Sequence, residues 1–90
     1  ITINNGNIPD KYITVANPVH ASIHLNVQHM TGVFAYRINT VSGQTIQKGT
    51  MYVSVPGTQE INLSPGIKMG VFVFEIQKPG YSFSQKIVIK

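Results

Sequence analysis

The 90-residue sequence predicts an all-β fold, and three observations support this class. No window of about eleven residues or more keeps the apolar spacing of an amphipathic helix. Short segments instead alternate apolar and polar residues, as strands with one buried face do. Eight Gly and five Pro residues supply turns between these segments. Short strands separated by turns, without helices, predict an immunoglobulin-like antiparallel β-sandwich of about seven strands.

The first half of the chain contains the clearest alternation. Its first three predicted strands cover residues 13–15, 22–28 and 33–38. The pair Ser42-Gly43 predicts a turn after the third strand. A short strand over residues 45–47 follows, and we expect it to stop at Gly49.

The second half of the chain is more apolar and is divided by Pro-Gly pairs. The predicted strands there cover residues 52–55, 60–63, 70–76 and 81–89. Pro-Gly pairs at positions 56–57 and 79–80 predict turns. Residues 70–76 lack a consistently polar face, so we expect a central strand covered on both faces, with Glu75 near an end or an edge.

The first eleven residues differ in composition from the rest. Asparagine, glycine and proline are frequent there, which disfavours a packed element. We therefore expect residues 1–11 to be a linker from an upstream domain, and residues 12–90 to form one folded domain. Because Ile1 is not an initiator Met and no signal peptide follows, we expect the chain to be part of a longer protein. Alternatively, Asn5-Gly6 would form a tight hairpin turn.

Composition and charge exclude several classes of protein. The formal net charge is +4, but the seven Lys and Arg residues are spread along the chain, so nucleic acid is not a predicted partner. The longest apolar run, residues 71–74, is far shorter than the ~20 residues of a membrane-spanning helix, so no transmembrane segment is predicted. Without cysteine, the chain has neither disulfides nor thiolate metal ligands.

The side chains needed for catalysis are few. The sequence contains three carboxylates, Asp10, Glu60 and Glu75, and an acid–base pair would require the two glutamates to meet across strands. We expect both glutamates to be solvated surface groups instead. No glycine-rich phosphate-binding motif occurs either. The sequence therefore predicts no enzyme and no cofactor.

Three histidines are the candidate metal ligands, because His20, His24 and His29 fall within ten residues. In an extended segment His20 and His24 lie about 13 Å apart at ~3.3 Å per residue, and His29 points to the other face. Pro18 and the alternation after it argue against a helix that would bring two histidines together. We expect polar surface residues rather than a metal site.

Aromatic side chains on a surface would offer a stacking platform for sugar rings or bases. Most of those in this chain lie at apolar strand positions, where we expect core packing: Phe34, Tyr36, Phe72, Phe74 and Phe83. The roles of Tyr12, Tyr52 and Tyr81 stay open at this point.

A series of short motifs carries a resemblance to a known family. The motifs are, in chain order, Asn17-Pro18, a strand and turn over residues 37–44, Ile-Asn-Leu-Ser at 61–64, Gly-Val-Phe at 70–72, and Lys-Ile-Val-Ile-Lys at 86–90. Their order and spacing resemble the type A C-terminal sorting domain of the type IX (Por) secretion system of Bacteroidetes, across residues 12–90. The chain departs from the family pattern at Ala16, Thr40 and Phe72, and the spacing of its terminal lysines is one residue longer.

The resemblance implies a non-catalytic signal that directs a cargo protein through the periplasm and across the outer membrane, to the cell surface or beyond. Its implied partners are the outer-membrane translocon, the shuttle and sortase proteins of the type IX system, and an upstream cargo domain in the same chain. The sortase removes the domain from many family members, and others keep it. The implied recognition residues are Asn17, Pro18, Gly43, Gly70, Phe72, Lys86, Val88 and Lys90.

Two functions of different class follow from the sequence. For the sorting signal, the final strand would offer unpaired backbone groups to a partner if it lies at a sheet edge, and Lys86 and Lys90 would suit an acidic receptor surface. The alternative is an extracellular sandwich that binds carbohydrate or spaces domains. An exposed row of aromatic side chains, or a calcium site, would favour the alternative. For Gly43, a turn with positive φ is the simpler interpretation.

Overall fold

The computed structural model describes residues 12–90, so the expectations for residues 1–11 lie outside the described part. The strands are β1 Ile13–Val15, β2 Ser22–Val27, β3 Gly32–Thr40, β4 Thr45–Val53, β5 Gly57–Asn62, β6 Gly70–Lys78 and β7 Tyr81–Ile89. Within this part, no helix is long and apolar enough to cross a membrane. The predicted all-β class is confirmed, and residues 12–90 contain seven strands.

Two antiparallel sheets form the sandwich, with strand orders β1-β2-β5 and β4-β3-β6-β7. The segment before β2 contacts both sheets. Its first part, β1, pairs with β2, whereas Val19 forms a parallel bridge with Ile89 of β7. The peptide bond between Asn17 and Pro18, where the chain passes from one sheet to the other, is cis. This segment therefore closes one side of the sandwich.

The core lies between the two sheets and consists of their inward-facing side chains. Ile23, Leu25 and Val27 alternate along β2 and are fully buried, and Phe34 and Phe74 face them from the other sheet. Full burial of each such side chain contributes roughly 1.5–3 kcal/mol. The other predicted core aromatics are partly buried against this cluster: Tyr36, Phe72 and Phe83. The predicted alternation thus sets which residues form the core.

The prediction that a strand stops at Gly49 is wrong. β4 continues through this residue to Val53, and Gly49 lies opposite Tyr36 of β3. A Cβ atom at Gly49 would lie 3.0 Å from the Tyr36 ring, so the ring occupies the space above the glycine and supplies packing that the glycine lacks. The prediction of a separate strand over residues 52–55 is also wrong, because residues 52–53 are the end of β4. The turn predicted at residues 56–57 lies slightly earlier, because Gly57 already begins β5.

β6 is central in its sheet, as predicted, but only one of its faces is covered. Val71 is 49% exposed on the outer face. Glu75 lies in the middle of the strand on the same face, and its carboxylate accepts a hydrogen bond of 2.9 Å from Arg37. The prediction of a strand covered on both faces, with Glu75 near an end, is therefore wrong. The apolar outer residues of β6 lie at an open surface.

Candidate recognition site

One end of the sandwich, which we call the Lys90 end, brings together the predicted recognition residues. Its segments are residues 16–21, the 41–44 turn, the 63–69 loop and the last residues of β7. The strand register joins them, because Thr40 lies opposite Phe72 and Gly70 lies opposite Ile89. The residues found at this end are Asn17, Pro18, Gly43, Gly70, Phe72, Lys86, Val88 and Lys90.

The opposite end, which we call the Tyr12 end, carries the point where the described chain begins. The C=O of Tyr12 accepts a hydrogen bond of 2.7 Å from the N–H of Gln28, and its ring centroid lies 6.0 Å from that of Tyr81. Tyr81 starts β7, a strand of nine residues. The two ends are therefore separated by the length of that strand, about 30 Å at ~3.3 Å per residue.

At the Lys90 end, the side chain of Asn17 binds the backbone of the last strand. Its Nδ2 donates to the C=O of Lys86 at 3.2 Å, and its Oδ1 accepts from the N–H of Val88 at 2.9 Å. An asparagine amide offers both a donor and an acceptor, so this one side chain pairs with β7 as a neighbouring strand would. The first and the last motif of the sequence are thus in direct contact.

The backbone of Val19 continues this pairing. Its N–H donates to the C=O of Val88 at 2.7 Å, and its C=O accepts from the N–H of Lys90 at 2.8 Å. β7 is an edge strand, as expected, but the outward backbone groups of its last residues are already paired. The expectation of unpaired groups is therefore wrong for residues 86–90, because the sequence does not indicate that residues 17–19 lie along this part of the edge.

The remaining predicted residues divide into inner and outer positions. Gly43 has φ 102°, and its N–H donates at 2.9 Å to the C=O three residues earlier, which confirms the turn with positive φ. Phe72 is half-buried on the inner face of β6. Lys86, Val88 and Lys90 instead share the outer side of β7, where both lysines are exposed. Gly43 and Phe72 shape this end, whereas the β7 residues present side chains on its surface.

Gln47 is a residue of this end that sequence reasoning missed. Its Nε2 donates to the C=O of Asn62 at 3.0 Å and to the Tyr36 hydroxyl at 3.2 Å, and its Oε1 accepts from the N–H of Ser64 at 2.7 Å. The glutamine therefore connects β4 to the loop after β5 and holds the Ile-Asn-Leu-Ser motif. Its partners lie 11 to 17 positions away in sequence, so only its inward strand parity would have indicated it.

We expect Asn17→Ala to destabilise the domain by about 1–2 kcal/mol, because two hydrogen bonds to the backbone of β7 are lost. The measurement is the free energy of unfolding of residues 1–90 in urea. The control is Asn26→Ala, since the Asn26 side chain pairs only with the exposed side chain of Gln28 in the described hydrogen bonds. Equal stability of the two variants would mean that the Asn17 contact does not hold the last strand.

The sandwich surface brings one serine, one histidine and one glutamate together without forming a catalytic arrangement. The Ser22 hydroxyl donates to Glu60 Oε2 at 2.7 Å, and the same oxygen lies 3.7 Å from His24 Nε2. In a catalytic triad, the serine hydroxyl donates a hydrogen bond to a histidine, which a carboxylate orients. Here the Ser22 hydroxyl donates its hydrogen bond to the Glu60 carboxylate and not to His24. Glu60 and Glu75 lie in different sheets, so they form no carboxylate pair.

Metal ligands are similarly dispersed. Within residues 12–90, no three His, Cys, Asp or Glu side chains are placed to hold a metal ion. His20 lies in the 16–21 segment, His24 lies on β2, and His29 lies in the loop after β2 with φ 63°. The three histidines therefore lie on three separate segments.

The tyrosines left open by the sequence fall into two environments. Tyr12 packs edge-on against His29, with ring centroids 5.9 Å apart, and also contacts Tyr81. Burial, and the neighbouring Tyr12 hydroxyl, raise the pKa of Tyr81, so its hydroxyl stays neutral at physiological pH. Tyr52 stands apart on β4 and is 69% exposed. Among the aromatic side chains of residues 12–90, Tyr52 is the one that is largely exposed to solvent.

These observations define a small immunoglobulin-like sandwich whose candidate site is the surface of one end rather than a cleft with reactive groups. Residues 16–90 match the family model for the secretion system C-terminal sorting domain, and the match covers most of the chain. The chain belongs to this family, which confirms the resemblance carried by its motifs. A search of curated proteins found no match.

Family membership defines the general role of the chain. The domain is a sorting signal of the type IX secretion system, and the family is one of secretion signals rather than of known catalysts. Membership implies interaction with the type IX machinery. It also implies export across the outer membrane, to the cell surface or the extracellular space.

Proposed function

We propose that residues 12–90 are the export signal of a larger secreted protein and that residues 1–11 link this signal to its cargo. The translocon and shuttle proteins of the type IX system recognise the Lys90 end. A sortase then removes the domain at the cell surface or leaves it attached. The residues that carry recognition are Asn17, Pro18, Gly43, Gly70, Phe72, Lys86, Val88 and Lys90.

The observation that carries this proposal is the contact of Asn17 with the last strand. The two hydrogen bonds to Lys86 and Val88 join residues about 70 positions apart, so the family motifs from both ends of the matched region form one surface. A surface assembled in this way exists only when the domain is folded. Recognition of such a surface lets the machinery select the domain by its folded state.

The point where the described chain begins supports the same proposal. Tyr12 lies at the end opposite to Lys90. We propose that a folded cargo upstream of residues 1–11 extends away from the Lys90 end. Under this arrangement, the cargo leaves the surface of the Lys90 end accessible to the export machinery.

The test is a fusion of residues 1–90 behind a periplasm-targeted fluorescent reporter in a strain with a type IX system. We expect the reporter to reach the surface or the medium, because the Lys90 end is intact. A fusion that lacks residues 86–90 loses the partners of Asn17 and Val19, and we expect it to stay in the periplasm. The measurement is the fraction of reporter outside the cell.

Two controls complete the test. The same fusions in a strain without the translocon should both stay in the periplasm, which separates export from leakage. The Asn26→Ala fusion should be exported like the wild type, because Asn26 lies on β2, away from the Lys90 end. Periplasmic retention of the intact fusion, equal to that of the truncated one, would refute the sorting function of this chain.

A further inference from the structure

The outer face of the four-stranded sheet carries a row of valines at the Lys90 end. Val71 of β6 lies opposite Val88 of β7, and Thr40 of β3 lies opposite Phe72. Val41 follows Thr40 directly, as the first residue of the turn after β3, so it lies at the same end of the sheet as Val71 and Val88. Val73 lies on the same face of β6, two residues from Val71. We call Val41, Val71, Val73 and Val88 the valine patch.

Two of the four valines of this patch are exposed among the described residues, and Val73 and Val88 are half-buried. Val41 is 66% exposed and Val71 is 49% exposed. Met69, which precedes β6 at the same end, is 78% exposed. Single exposed apolar side chains are ordinary, but neighbouring ones aligned by strand register form a continuous apolar surface. Such surfaces on small soluble domains mark sites of interaction.

Cations flank the valine patch on β7. Lys86 and Lys90 lie on either side of Val88 along the strand, and Lys86 is directly opposite Val73. The two ion pairs among the described residues involve His24 with Glu60 and Arg37 with Glu75, so neither patch lysine has a carboxylate partner there. The patch therefore presents apolar side chains next to two unpaired ammonium groups.

From this combination we propose that the valine patch, with Lys86 and Lys90, docks onto an acidic protein surface of the type IX machinery. The partner surface is apolar at its centre and places carboxylates opposite the two lysines, because complementary charge orients a partner and apolar contact supplies affinity. This inference rests on the proposed function and names the chemistry of the recognised surface. Docking takes place through side chains, since Asn17 and Val19 already occupy the backbone edge of β7 beside these lysines.

Two other occupants fit this surface less well. A second copy docked on the same patch in a symmetric dimer would bring the lysines of both chains together, and like charges at an interface are unfavourable. An anionic lipid surface attracts clusters of cations at about 1 kcal/mol each, and two lysines separated by valines make a weak membrane site. An acidic protein surface uses both the charges and the valines.

The test compares two glutamate substitutions on the same sheet face in the reporter fusion. Val71→Glu places a carboxylate in the valine patch, where it meets the acidic partner unpaired, and we expect export to fall about tenfold or more. Tyr52→Glu is the matched control, because Tyr52 is also exposed on this face but lies at the Tyr12 end. We expect it to leave export unchanged. Glutamate is compatible with β6, since Glu75 already lies on this face of the strand.

A charge-reversal pair keeps the test informative if Val71→Glu fails to fold. The double variant Lys86→Glu/Lys90→Glu alters exposed side chains only, and we expect it to reduce export by a similar factor. Its control is Lys48→Glu, an exposed cation on the other edge strand, with export expected at the wild-type level. The Tm of each purified 90-residue chain shows whether the variant is folded.

Each contrary outcome has a distinct meaning. Export of the wild type and of the folded patch variants alike would overturn this inference and leave the proposed function intact. Retention of the wild-type fusion would overturn both. Binding of the wild-type chain to phosphatidylglycerol and phosphatidylcholine vesicles that is lost in the double variant would assign the patch to lipid instead. A dimer in sedimentation that Val71→Glu dissolves would assign it to a second copy.

Discussion

Replacing Phe74 with alanine is expected to destabilise the domain by about 3–5 kcal/mol. Phe74 is fully buried on β6, at the centre of the four-stranded sheet, and its ring centroid lies 6.4 Å from that of Tyr36. Removal of the ring loses its transfer free energy and leaves a cavity between the sheets. The free energy of unfolding of a small domain is only about 5–15 kcal/mol, so this substitution removes a large part of it.

The measurement for Phe74→Ala is thermal unfolding followed by circular dichroism, where we expect Tm to fall by roughly 12 °C or more. Tyr52→Ala is the matched control, because it also removes an aromatic ring but from a side chain that is 69% exposed. We expect the control to cost less than about 1 kcal/mol. A similar Tm for both variants would contradict the packing of the inner face around Phe74.

Inserting a small folded domain after Gly43 is expected to abolish export, whereas the same insertion after Gly80 leaves export intact. Both glycines are in turns with positive φ, 102° and 84°, and both have open space around the position of a Cβ atom. The two insertions should therefore lower the free energy of unfolding by similar amounts, since the entropic cost of closing a loop grows slowly with its length. They differ in position, because Gly43 is at the Lys90 end and Gly80 is at the Tyr12 end.

Export is measured as the extracellular fraction of the reporter in the same strain, with flexible Gly-Ser linkers on both sides of the inserted domain. The Tm of each purified fusion establishes that the sandwich has folded around the insertion. Equal export of the two folded fusions would mean that recognition does not require the surface of the Lys90 end. Loss of export with the Gly80 insertion alone would place recognition at the Tyr12 end.

Local patterns were sufficient to predict most of the strands and the core. The alternation of Ile23, Leu25 and Val27 identified the buried face of β2, because side chains on a strand point alternately to its two faces. The same rule was not sufficient at Gly49, where the ring of Tyr36 on the next strand compensates for the missing side chain. The contact between Tyr36 and Gly49 depends on the register between β3 and β4, which the sequence of one strand does not specify.

The recognition residues were predicted by resemblance, and their assembly at one end of the sandwich was not predictable from the sequence. Each motif suggested only a local role. Asn17 suggested a turn before a strand, and residues 86–90 suggested a strand with a cationic face. The structure brings them into contact through the Asn17 amide. Gln47 belongs to none of the family motifs. Its role was not predictable, because Asn62 and Ser64 become its neighbours only when β4 packs beside the loop after β5.

Strand periodicity, turn residues and ordered motifs are local properties of the chain, so they were sufficient to predict the fold class, most inward-facing residues and the family. Which edge of the sandwich is covered, and which face is open, follows only from the tertiary structure. The edge of β7 is covered at residues 86–90 by Asn17 and Val19, and the face that carries Val71 is left uncovered. These features depend on hydrogen bonds and strand register between segments distant in sequence, and such pairings are set only when both sheets form together.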